Sequence, residues 1–258
     1  MIESILVVLS RALPGREEEM SDWYTNVHLR DALRYRGSLA VQRFSAAEDQ
    51  AGPLPAGWPW QYLALYEAYS AELFTQAHRD AADTVWMHIS EAFDASMIND
   101  FYYYPMIWRS NAIEQVHQGG VILEQFNAAP GKDDELRRWY CDSYFPAAMQ
   151  RPGVHAGAFL PFRPHGQMMP FEPEFRYVAV YWTADDAAAS AAWNDPTLRE
   201  TTLIDAAGPS VSRWHRLTRR LTEDDVLHTS AADLLAEEQA RARMKKAGSM
   251  GRANLGLE

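Results

Sequence analysis

Ile5-Leu6-Val7-Val8-Leu9 is a continuous apolar, partly β-branched run that ends ahead of Pro14-Gly15. That is the pattern of a buried strand closed by a turn. Glu17, Glu18 and Glu19 follow and suit the positive end of a helix dipole. Met20, Trp23, Tyr24, Val27, His28 and Asp31 then recur at helical spacing on one face, and Gly37 stops the helix. Leu39, Val41, Arg43 and nearby Phe44 predict a second strand. After the Pro/Gly-rich loop 52–59, Gln61 to Ala68 predicts a third. A helical pattern runs from Ala71 to about Ala95, and the aromatic run Phe101 to Trp108 reads as a fourth strand. The order is β-α-β-β-α-β.

The second half repeats it. Val121 to Phe126 is a strand, and Asp133 to about Gln150 a helix with Leu136, Trp139, Tyr140, Ser143, Tyr144 and Ala147 on the matching face. Val154 to Leu160 and Arg176 to Trp182 are strands joined by a Pro-containing loop. A helical pattern over 185–206 is interrupted at Pro196, and Val211 to Leu217 reads as the last strand. The letters repeat as well as the pattern. Pro14-Gly15-Arg16-Glu17-Glu18-Glu19-Met20-Ser21-Asp22-Trp23-Tyr24 recurs as Pro130-Gly131-Lys132-Asp133-Asp134-Glu135-Leu136-Arg137-Arg138-Trp139-Tyr140, an offset of 116 residues. Gln61 to Tyr66 recurs as Arg176 to Tyr181 at an offset of 115. A repeat this long is a duplicated domain.

A βαββαβ unit makes a four-stranded antiparallel sheet with helices on one face. The other face is also apolar and must be covered, which two sheets achieve by facing each other. The predicted fold class is therefore α+β: two tandem ferredoxin-like units, 1–112 and 118–222, with paired sheets. A helical tail follows over 223–258, with Leu234 to Lys246 helix-prone. The tail has no counterpart in the first half and reads as a strap on the surface or on another subunit. Its Arg241, Arg243, Lys245 and Lys246 read as a solvated helix face.

The motif from Pro14 to Leu29, with Gly37 beyond it, resembles the dimeric α+β barrel superfamily, closest to its EthD-like members. The likeness covers about residues 1–110 and, more weakly, 118–220. It implies two ferredoxin-like units forming a barrel, here from one chain, with a pocket between sheet and helices in each. The superfamily includes isomerases, cyclases, decarboxylases, cofactor-free oxygenases and haem enzymes, so the fold does not name a reaction.

His28 matches the histidine that EthD-like sequences often carry after the helix tryptophan. Imidazole, with a pKa of about 6.5, takes and returns protons near neutrality. Asp31, three residues on, is placed to orient it. The alternative is a helix histidine hydrogen-bonded at the core edge. The second half has Tyr144 and Ala147 at these positions: either only the first half retains an acid–base pocket, or Tyr144 serves a second pocket as a proton donor, with simple space-filling by Tyr144 as the alternative. Arg43, opposite Phe159 in the repeat, is a candidate for binding a carboxylate or enolate oxygen, or else faces solvent. Trp23, Tyr24, Tyr102, Tyr104, Trp139 and His155 are candidate pocket walls, with core packing as the alternative for each.

Composition narrows this further. Nine Trp, twelve Tyr and ten Phe suit a cavity for a flat ligand as well as a core. A net charge of -11 disfavours nucleic acid. The single Cys141 excludes an internal disulfide and a cysteine-based zinc site. No apolar run approaches the ~20 residues of a membrane span, and Met1 to Leu13 lacks the marks of a signal peptide. The chain is expected in the cytoplasm, with a homodimer open through the tail. No nucleotide loop, nucleophile elbow or zinc motif is present.

The sequence thus predicts a cofactor-independent enzyme, without metal, doing His28 acid–base chemistry of lyase, isomerase or cyclase type. Its substrate would be an aromatic or polyketide-like oxygenated molecule. Three other readings stand beside it: cofactor-free monooxygenation, a haem-binding barrel with His155 or His215 as ligand, and a non-catalytic ligand-binding protein.

Overall fold

A computed structural model describes residues 2–51, 54–82, 84–110, 119–184, 193, 197–243 and 246–249. The first half contributes β1 (Ser4–Ala12), α1 (Glu17–Trp23), a π-helical turn (Tyr24–His28), α2 (Leu29–Leu33), β2 (Ser38–Ala46), β3 (Tyr62–Ala68), α3 (Ala71–Ala81), β4 (His88–Ser90), β5 (Phe93–Tyr103) and β6 (Ile107–Ser110). The second contributes β7 (Val121–Phe126), α4 (Asp133–Trp139), a second π-helical turn (Tyr140–Tyr144), α5 (Phe145–Ala148), β8 (Val154–Pro161), β9 (Tyr177–Thr183), α6 (Thr197–Glu200) and β10 (Ser210–Arg216). β11 (Leu221–Thr222), α7 (Glu223–Leu227), α8 (Ala231–Arg243) and β12 (Lys246–Ser249) complete the chain.

The strands run β5-β1-β3-β2-β10-β7-β9-β8-β6, antiparallel throughout, with β11 also on β2. Each unit has the same internal order, its fourth strand beside its first, and its second strand on the opposite edge. The last strand of each unit then crosses to the second strand of the other. On one side β10 and β11 pair with β2; on the other, β5 leads into β6, which pairs with β8. Tyr103 bridges to Phe162, and the Tyr104 N–H donates to Pro161 O at 3.0 Å. The barrel is therefore closed by one chain. Its interior is filled by Val7, Leu9, Leu65, Leu123, Val180, Trp182 and Trp214, among others. Two further cores lie between each sheet and its own helices.

Three predicted elements are corrected. The helix from Ala71 stops at Ala81, because Phe93–Tyr103 is drawn into the ladder beside β1, with Ala12 opposite Phe93 and Ile5 opposite Tyr103. The single strand from Phe101 to Trp108 is two, broken at Tyr104-Pro105-Met106, where proline has no N–H for a ladder. The helical pattern over 185–206 is reduced, among the described residues, to α6; 185–192 and 194–196 lie outside them, as do the linker residues 111–118.

The tail straps the first unit's own helix. Arg241 pairs with Asp31 at 2.5 Å, Arg243 with Asp22 at 2.7 Å, and Arg34 with Glu237 at 3.2 Å. Arg241 is thus bound to acids of the first unit instead of lying on a solvated face, Arg243 pairs with Asp22 while remaining exposed, and Lys245 lies outside the described residues. β12 pairs with β4. Among the described residues no helix is long and apolar enough to cross a membrane.

Candidate active site

A cavity lies between sheet and helices of the first unit. Its walls include Leu6 and Val8 of β1, Ile98 and Asp100 of β5, Tyr66 of β3, Trp23, Tyr24 and His28 of the first helix, His78 of α3, and Met87, Ile89, Phe93 and Met168. The free space is about 40 Å³ within an envelope of about 470 Å³ that includes the mouth. Met87 and Met168, unbranched side chains that repack easily, are the wall residues best suited to yield room to a ring.

The π-helical turn sets the helix side of this cavity. The Leu29 N–H donates to Tyr24 O, one residue further than in an α-helix. The extra residue brings His28 over Trp23 and Tyr24, with ring centroids 5.0 and 4.8 Å apart. Neither ring nitrogen of His28 has a hydrogen-bond partner among the described residues. Burial, reinforced by His78 and Arg43, pushes its pKa down to about 3, so it is neutral at pH 7.

Two further titratable groups face the same space. His78 Nδ1 lies 3.0 Å from Phe74 O. A carbonyl only accepts, so Nδ1 carries the hydrogen and Nε2 is left as an acceptor. Burial pushes His78 down to about 4. Asp100 pairs in register with Val8, which turns it toward the helices. Its Oδ1 is sealed from solvent and has no partner, and burial pushes its pKa up to about 7. Among the described residues, no group of three His, Cys, Asp or Glu is arranged to hold a metal ion.

The sign of the Asp100 effect is testable. Its folded pKa lies above the ordinary 3.8, so the folded state holds more protons between these values and loses stability as pH rises through the window. Asp100→Asn is expected to stabilise the protein by about 1–3 kcal/mol at pH 8, with the gain shrinking toward pH 4. Urea unfolding midpoints of both proteins across that range measure it. The two lowered histidines act oppositely, losing stability as pH falls below about 6.5, and are common to both proteins.

Other predicted residues sit elsewhere. Asp31 does not orient His28: it lies on the flank covered by α8, bound by Arg34 at 2.9 Å and by Arg241. Arg43 is fully buried behind Tyr24, not in the cavity wall. It donates to Ser21 O, Ser21 Oγ and Thr25 Oγ1 at 2.9–3.1 Å, and lies 4.6 and 4.3 Å from the Tyr24 and Tyr62 rings. Burial lowers its pKa to about 10, which leaves it charged at pH 7. Tyr66 donates to Tyr24 Oη at 3.0 Å. Tyr102 and Tyr104 are core residues outside the cavity wall, the latter donating to His165 O at 2.7 Å.

The second unit fills the corresponding layer with its own side chains. Glu124, where the first unit has Val8, is completely buried and accepts from Tyr140 Oη at 2.5 Å, Tyr144 Oη at 2.7 Å and Trp193 Nε1 at 2.8 Å. Tyr144 is thus committed to a carboxylate. Phe159, the counterpart of Arg43, stacks on Tyr140 at 4.2 Å, and Trp139 packs on Tyr144 at 5.3 Å. His155 lies on β8 with a buried Nδ1 that has no partner. A haem does not fit this layer, because Tyr140, Phe145, Phe159 and Tyr181 already occupy it without exposure.

His78, Asp100 and Glu124 were not singled out from sequence. The repeat held a signal for two of them: the 116-residue offset sets Glu124 against Val8, and the 115-residue offset sets Trp193 against His78.

No family model and no relative of curated function matches the chain. Solved structures do. A candidate monooxygenase from Fusobacterium nucleatum is 12% identical with a TM-score of 0.59, over 86% of this chain and 94% of its own. An anthrone oxidase-like protein is 13% identical with a TM-score of 0.59, over 89% and 96%. The fold is that of the dimeric α+β barrels. A mutant chlorite dismutase from Candidatus Nitrospira defluvii, in complex with cyanide, is 9% identical with a TM-score of 0.50, over 93% and 95%. At these identities the likeness is one of fold.

Proposed function

We propose that the first-unit cavity binds a flat, oxygenated aromatic molecule and moves a proton on it, and that the outcome is oxygenation by O2 without a cofactor. The observation that carries this reading is the convergence of His28, His78 and Asp100 in one aromatic- and thioether-lined space. Two fold neighbours described as a candidate monooxygenase and an anthrone oxidase-like protein favour oxygenation over lyase or isomerase chemistry. An electron-rich aryl methylene loses a proton to a cavity base, and its carbanion reduces O2. The balance is CH2 + O2 → C=O + H2O, with all electrons drawn from substrate and oxygen.

The residues have distinct parts in this scheme. Neutral His28 is free to accept or return a proton. Tyr24, its oxygen already accepting from Tyr66, has its own hydrogen available for a developing oxyanion. Arg43 sits behind Tyr24 and stabilises negative charge there without touching substrate. Trp23 supplies a flat wall.

2-Hydroxyanthrone, which carries both the aryl methylene and a free hydroxyl, is the first probe. Wild-type protein is expected to consume one O2 per anthraquinone formed, followed on an oxygen electrode with product absorbance. His28→Ala is expected to lose about 10²-fold or more in rate. Turnover of an aromatic ketone that proceeds equally well without oxygen would replace this reading with non-oxidative proton transfer. Tight binding with no turnover would leave a ligand-binding protein.

A further inference from the structure

We infer that the first-unit cavity selects a ligand bearing a free hydroxyl, and that the Asp100 carboxylate receives the hydroxyl's hydrogen bond. This rests on the proposal that the cavity binds an aromatic molecule, and adds what that molecule must carry.

The cavity's donors are the Tyr24 hydroxyl and the single N–H of neutral His28; the carboxylate on the opposite wall has neither of them. Asp100 offers acceptors only when ionised, and its sealed Oδ1 has no partner. His78 presents an acceptor at Nε2, because Nδ1 is held by Phe74 O. Among the described residues that line the space there is no Arg or Lys. An anionic ligand would meet the carboxylate directly, with Arg43 set back behind the Tyr24 ring and outside the wall. A purely apolar ligand would leave Asp100 unpaired and dry. A neutral hydroxyl gives its hydrogen to Asp100 and satisfies both.

The second unit is an internal control. Its buried carboxylate, Glu124, is met by three donors of the protein itself, Tyr140, Tyr144 and Trp193. In the repeat these correspond to Tyr24, His28 and His78. None of those three donates to Asp100. The same layer of the fold thus closes one carboxylate with its own groups and leaves the other for something that enters. Asp100 is then also positioned to take the proton as the O–H bond breaks, the electron pair staying on the ligand oxygen, and to return it to product.

Three two-ring probes of similar size separate the possibilities by titration calorimetry at pH 8: 2-naphthol, 2-methoxynaphthalene and 2-naphthoate. Wild-type protein is expected to bind 2-naphthol about tenfold or more tightly than 2-methoxynaphthalene, with 2-naphthoate weakest. Asp100→Leu, which replaces the carboxyl by an apolar group of similar size, should bring the first two within about twofold. Asp100→Asn keeps the side-chain shape and should lower the preference severalfold, which covers the case in which the leucine variant does not fold. Equal wild-type affinities for naphthol and its methyl ether, or a preference retained in both variants, would overturn the role of Asp100 while leaving the pocket. Failure of all three probes to bind wild-type protein would remove the pocket itself, and the inference with it.

Discussion

Glu124→Val is expected to destabilise the protein by about 3–5 kcal/mol, although valine is the residue the first unit carries at the matching position, Val8. The cost does not come from the carboxylate as such. Removing it strands the Tyr144 hydroxyl and the Trp193 N–H, both of which it accepts from in a dry layer. Tyr140 is less affected, since its hydroxyl also lies 2.7 Å from Tyr181 Oη. An unmade hydrogen bond at a buried group costs about 1–3 kcal/mol, and the shorter side chain adds a void. Glu124→Gln retains an acceptor oxygen and should cost much less. Chemical denaturation of the three proteins at pH 7 tests this. A valine variant within about 1 kcal/mol of wild type would mean that the layer repacks freely.

Gly37→Ala is the second large effect, expected at about 3 kcal/mol or more. Gly37 has φ +97°, outside the range ordinary residues adopt without strain. An added Cβ would also stand 2.5 Å from Phe74 N and 2.6 Å from Ser70 O, the backbone that opens α3. Neither atom can yield without moving the helix that holds His78. Gly15→Ala is the control. Its φ is +77°, but nothing lies within 4 Å of the added carbon, so only the backbone term of about 1 kcal/mol applies. Thermal melts of both variants separate clash from conformation. Because α3 carries His78, Gly37→Ala should also weaken probe binding, and Gly15→Ala should not.

The duplicated strand–helix order was legible because β1, β7 and the Trp-Tyr helices carry strong local patterns. His28 was legible for the same reason, lying on a helix face that the π-helical turn only rotates. Asp100 was not. The stretch before Phe101 holds Asp94, Asn99 and Asp100, and nothing local marks it as a strand; pairing with β1 makes it one and aims the carboxylate inward. Asp31 was misread because its partner, Arg241, arrives from more than two hundred residues away. Helical spacing reports which residues share a face, not which distant cation will cover them. Arg43 was legible as unusual, but its place behind Tyr24 depends on how the first helix packs on β2.

The closure of the barrel within one polypeptide has a consequence for how such a protein can change over generations. In a symmetric homodimer a codon is expressed twice around the axis, so a substitution that plugs one chamber plugs its twin. Fusing the copies frees each from the other. One half can harden into a keystone, its chamber bricked up by Glu124 and its tyrosines, while the other keeps a hollow at some expense in robustness. Random mutagenesis should register this division of labour: losses of folding concentrated in residues 121–216, and losses of ligand recognition, with the fold intact, concentrated in the first unit.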